Sequence, residues 1–78
     1  MRYYFHLREA GAYLIDEEGL ELAGVEAARV AATEAARSII AGDAIMGKLP
    51  LGAVLEIDDE VGRRVFDLPV RETVRLDG

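Results

Sequence analysis

Residues Arg2 to Arg8 alternate, with Tyr3, Phe5 and Leu7 on one side and Tyr4, His6 and Arg8 on the other. That period predicts a strand with one buried face. Glu9-Ala10-Gly11 supplies a short turn, and Ala12-Tyr13-Leu14-Ile15 reads as the returning strand of a hairpin. Asp16-Glu17-Glu18-Gly19 breaks the alternation, after which Leu20-Glu21-Leu22 adds a short extended piece. From Val25 to about Met46 the period changes to that of a helix. Ala28, Ala32, Ala35, Ile39 and Met46 share one face with Ala31 beside them, while Arg29, Thr33, Glu34 and Arg37 fall opposite. Glu26 suits the positive end of the helix dipole, and Gly47 followed by Pro50 is a stop signal. Gly42-Asp43 is a weak point that costs about 1 kcal/mol relative to Ala and marks a kink or an early end. Unbroken, the helix would be about 33 Å long.

Alternation resumes at Ala53 to Asp58, with Leu55 and Ile57 opposite Glu56. Asp59-Glu60-Val61-Gly62 turns the chain, and Arg63 to Leu68 returns with Phe66 and Leu68 aligned, a second hairpin. Pro69 ends it, and Val70 to Leu76 reads as a final helical turn or a short edge strand. The expected fold is therefore a single α+β domain spanning residues 1–78, in the order ββαββ. A small antiparallel or mixed sheet of two hairpins carries one long helix on one face. Tyr3, Phe5, Leu7, Leu55, Ile57, Phe66 and Leu68 are expected against Ala28, Ala31, Ala32, Ala35 and Ile39. Nothing long enough remains to cover the other face, which should carry Tyr4, His6, Tyr13, Val54, Glu56, Val65 and Asp67.

Size and composition narrow the function classes. A chain of 78 residues buries only about 60% of its unfolded surface, so a disulfide, a metal or oligomerisation usually supports such a fold. There is no cysteine and one histidine, which excludes a disulfide and a closed Cys/His zinc site within one chain. Oligomerisation is the support that remains. The net charge is −6, with five Lys/Arg against twelve Asp/Glu in residues 1–60 and four against three in 61–78. Nucleic-acid binding draws on Lys/Arg that neutralise phosphates, so this balance argues against nucleic acid or an anionic membrane as partner. With no signal-peptide pattern at Met1 to His6 and no long apolar run, a cytoplasmic protein is the expectation.

The strand Arg2-Tyr3-Tyr4-Phe5-His6-Leu7-Arg8, the turn Asp16-Glu17-Glu18-Gly19, the alanine-rich helix and the turn Asp59-Glu60-Val61-Gly62 together resemble a family of small bacterial proteins. That family is catalogued only as a domain of unknown function. The similarity covers almost the whole chain, and its most specific part is the aromatic-His-Leu-Arg strand joined at this distance to the acidic turn. The family usually has Asp-Gly after the arginine; this chain has Glu9-Ala10-Gly11, so its first turn is expected to differ. The resemblance implies an identity and carries over no functional residues.

Among candidate sites, His6 alone ionises near neutrality in its ordinary state. It lacks a nucleophile, because Ser38 and Thr33 lie on the helix, outside any nucleophile-elbow pattern. The acidic turns at residues 16–19 and 58–62 offer hard oxygen ligands but not the spacing of a calcium loop, and read as solvated turns. Arg63, Arg64, Arg71 and Arg75 read as surface ion-pairing residues. No P-loop or dinucleotide motif is present. No catalytic residue, metal ligand or cofactor is expected. Tyr4, His6, Tyr13, Val54 and Val65 form the candidate interface, since tyrosines combine large contact area with a polar tip. The leading expectation is a noncatalytic interaction or regulatory module that pairs with itself or another protein. Alternatives are a regulatory partner resembling HicB-type antitoxins and a small-ligand or metal-binding protein using His6.

Overall fold

A computed structural model describes residues 1–74. Strands β1 (Arg2–Glu9), β2 (Ala12–Leu14) and β3 (Leu20–Glu21) precede helix α1 (Val25–Ile45), and β4 (Val54–Asp58) and β5 (Arg64–Pro69) follow it. A 3₁₀ turn over Val70–Thr73 closes the described chain. The architecture is α+β, and β3 adds a strand to the expected ββαββ order. Every strand pair is antiparallel, in the spatial order β2-β1-β4-β5 with β3 also paired to β1. The 3₁₀ turn occupies the stretch read as a helical turn or edge strand; its last residues, Arg75 and Leu76, lie outside the described ones.

The period-2 face of β1 and β4 meets the period-3.6 stripe of α1 as patterning requires. Ala28, Ala32 and Ala36 are fully buried, a stripe at i, i+4 and i+8. Their small side chains let the helix backbone approach Ile57, Leu55 and Val70, with Phe5, Leu7, Ile39, Phe66 and Leu68 around them. Ala31, expected in this stripe, is outside the buried set, and Ala36 stands in its place. The helix continues unbroken through Gly42. It ends where Gly47 N–H donates to Ala44 O and Lys48 N–H to Asp43 O, the paired bonds of a Schellman motif. Met46, expected on the core face, falls at this cap beyond the last helical residue and is exposed.

Two local features set the faces of the sheet. Ala10 and Gly11 both have positive φ, 46° and 82°, and together form a two-residue hairpin loop whose twist matches the strands. In the second hairpin, Ile57 pairs with Phe66 but Asp58 pairs with Arg64. The skipped residue is Val65, the extra residue of a β-bulge. Val65 packs against the core cluster, which corrects its expected place on the open face.

Candidate functional site

The face of the sheet away from α1 is built by strand register. Tyr4 lies opposite Asp58, His6 opposite Glu56 and Arg8 opposite Val54, while Arg8 also faces Tyr13, Glu56 faces Asp67 and Asp58 faces Arg64. Directly opposed residues share a face, so two arginines, three carboxylates, a histidine and a tyrosine converge. Arg8 Nε donates to Glu56 Oε2 at 2.9 Å, and Arg64 NH2 donates to Glu56 Oε1 at 3.1 Å. Arg64 also donates through Nε to Asp58 Oδ1 at 2.6 Å and through NH1 to Asp67 Oδ1 at 2.9 Å. One guanidinium thus spans three carboxylates on two strands.

These bonds fix the charge states. The Arg8 hydrogen bond, reinforced by Tyr13 and then by the field of Arg64, holds the Glu56 carboxyl below its ordinary value despite burial. Asp58 raises Arg64 further above its already high value. Desolvation, reinforced by neighbouring Glu56, raises the Tyr13 phenol, over whose ring the Arg8 guanidinium sits at 4.4 Å.

His6 is buried at 8% exposure between two partners. Its Nδ1 accepts the Asp16 N–H at 3.0 Å, and its Nε2 lies 3.3 Å from Asp58 Oδ2. An acceptor at Nδ1 places the proton of the neutral ring on Nε2, directed at Asp58. Asp16 in turn receives the Phe5 N–H on Oδ2 at 3.1 Å, and the Glu18 and Gly19 N–H groups on Oδ1 at 3.2 and 3.1 Å. Burial alone would raise this carboxyl, but the three backbone donors outweigh it and hold it low. The position matters: the outer edge of β1 is paired with β3 at Arg2 and Tyr3 and with β2 from Leu7 to Glu9. The Asp16 side chain caps the amide left between them. The acidic turn considered as a cation site is therefore a structural patch on a strand.

The face brings His6 and Tyr13 together, their ring centroids 5.9 Å apart. Val54 joins them beside Arg8 at one end, whereas Tyr4 leans over Gly19 and Val65 lies elsewhere. The sequence reading put Arg8 on this face, Arg64 among surface ion-pairing residues and Asp16 in a solvated turn, and assigned none of them to the site. Arg8 shares the parity of His6, so its place was legible. The face of Arg64 was not, because strict alternation from Phe66 assigns it to the core side, and the bulge exchanges it with Val65. Chemically the site is an ion-paired lattice: its three carboxylates are held by two guanidinium groups, and Thr33 and Ser38 lie on α1, in the other layer. One depression of about 280 Å3 lies where the β1–β2 turn meets residues 48–53, lined by Glu9, Asp43, Lys48, Leu49 and Leu51. Among the described residues no three His, Asp or Glu side chains converge to hold a metal ion, and no helix is long and apolar enough to cross a membrane.

The family model described as Domain of unknown function (DUF6894) matches residues 2–71. The chain belongs to that family. The match takes in every strand of this DUF6894 member, the whole of α1 and the start of the 3₁₀ turn, so it covers the framework of the open face completely. No match was found among curated proteins or among solved structures.

Proposed function

We propose that this DUF6894 domain is a noncatalytic, cytoplasmic interaction module that acts by pairing with protein, first of all with itself. The observation that carries this reading is the segment following the first hairpin turn. Tyr13, Leu14 and Ile15 are exposed at 39%, 63% and 63% and consecutive on an edge of the sheet, where exposed apolar side chains beside unpaired backbone groups favour pairing with another strand. The open face, where Tyr4 and Tyr13 were expected to anchor a partner, is occupied by its own ion pairs, which moves the weight of the proposal to the strand edge. The small-ligand alternative is disfavoured because both ring nitrogens of His6 already face protein groups.

Sedimentation velocity over a concentration series from about 1 μM to about 1 mM tests the reading, since a self-associating chain changes mass with concentration. A rise from monomer to dimer mass is expected. A single monomer mass throughout the series would sink it.

A further inference from the structure

Resting on the interaction reading, we propose that β2 pairs antiparallel with β2 of a second copy, about a two-fold axis through Tyr13, joining two sheets into one. The two-residue loop Ala10-Gly11 makes Glu9 and Ala12 a hydrogen-bonded pair, so Leu7–Leu14 is bonded too and Arg8–Tyr13 is the wide pair between them. The Tyr13 N–H and C=O therefore point away from β1. Among the described residues nothing receives them.

The occupant follows from the residues along this edge. Two copies each carrying a net charge of −6 repel, and like charges directly opposed across strands are destabilising. Ala10 to Ile15 is uncharged. A two-fold axis through Tyr13 sets Tyr13 against its own copy with two exchanged hydrogen bonds, Leu14 against Ala12, and Ile15 against Gly11, large against small on each line. The stretch stops before charge enters, because Asp16 turns back onto β1. The opposite edge is unsuited to the same pairing. β5 is blunted by its bulge, by Pro69 at its end and by Arg63 and Arg64 at its start. A two-fold contact there would also bring arginines together.

The test combines sedimentation with amide exchange. A Leu14→Lys, Ile15→Lys variant places four ammonium groups along the paired edges and is expected to weaken dimerisation at least a hundredfold. Val30→Lys, Val61→Lys adds the same charge at exposed valines on α1 and in the β4–β5 turn, away from this edge, and should keep the dimer mass. In the unmodified chain, the Tyr13 amide should exchange at least tenfold more slowly at a dimer-forming concentration than at a monomeric one, a readout that needs no variant to fold. If the parent is a dimer while the folded L14K/I15K variant stays one, or Tyr13 exchange ignores concentration, the β2 contact is wrong and self-association runs through another surface. A parent that is monomeric throughout overturns both this contact and the self-association on which it rests.

Discussion

Asp16→Ala is the substitution that most directly tests how this sheet is held together. The carboxylate serves three backbone donors, and their environments differ. The Phe5 amide lies mid-strand in β1 and is part-buried, so its loss leaves a donor that water reaches poorly, which costs about 1–3 kcal/mol. The Glu18 amide is exposed and rehydrates; the Gly19 amide is intermediate. Together they add on the order of 1 kcal/mol. The Asp16 N–H bond to His6 survives the substitution. The sum, about 2–4 kcal/mol, compares with about 4–12 kcal/mol of total stability for a chain this size. The expected fall in Tm is roughly 10–25 °C. Urea denaturation followed by circular dichroism gives the free energy directly, with Asp16→Asn expected to lose about half as much because an amide oxygen retains one acceptor. An Asp16→Ala protein within about 0.5 kcal/mol of the parent, the range of ordinary surface substitutions, would refute the view that this side chain completes the β1 edge.

Gly19→Ala and Gly47→Ala form a matched pair, since both glycines have positive φ, 70° and 79°. A Cβ at 19 would meet Tyr3 O at 2.8 Å and Tyr4 Cε2 at 2.9 Å, whereas one at 47 meets open space. In the same urea assay Gly47→Ala should cost about 1 kcal/mol and Gly19→Ala at least about twice that. Ala32→Leu, at a fully buried helix position against the sheet, should destabilise by about 1–3 kcal/mol or more by overpacking, although it adds apolar surface. Asp16 and Glu56 both have carboxyls held below their ordinary values. Their contribution to stability is complete above the unfolded carboxylate range, about pH 5, and is lost as pH falls through their folded values. Urea midpoints should thus be flat from about pH 7 to 5 and fall below about 4.5, less steeply in an Asp16→Asn, Glu56→Gln double variant. Long-range nitrogen–proton NMR spectra at neutral pH should show His6 protonated on Nε2, and an Nδ1–H ring would contradict its contact with Asp16.

Periodicity located the elements because the two repeats in this chain are clean: Tyr3, Phe5 and Leu7 at period 2, Ala28 and Ala32 at period 3.6. It failed where one residue breaks the count. At Val65 the bulge shifts parity for everything earlier in β5, so Arg64, the residue that ties three carboxylates together, was legible as an ion-pairing residue but not as a member of this face. The role of Asp16 was illegible for another reason. Acidic residues beside glycine are common in solvated turns, and only the spacing of β2 and β3 along β1 creates a vacant amide for one of them to fill. The end of α1 was readable in position from Gly47, but exposure of Met46 depends on where the chain goes next.

The strand order has a kinetic consequence. β1, made well before β4, lies beside it at the centre of the sheet, so Tyr4 finds its partner only at Asp58. Closing that separation must precede the reward for doing so, and such nonlocal pairing slows folding relative to a hairpin or a helix. On the ribosome the first hairpin and α1 are complete well before β4 emerges, and until then β1 holds a full edge of unpaired amides and carbonyls toward solvent. The chain is thus most open to mispairing during its own synthesis. A break in the segment between α1 and β4 would divide it into two pieces, neither of which holds a central strand with both of its neighbours, a natural starting point for a reporter that regains structure only when its halves meet.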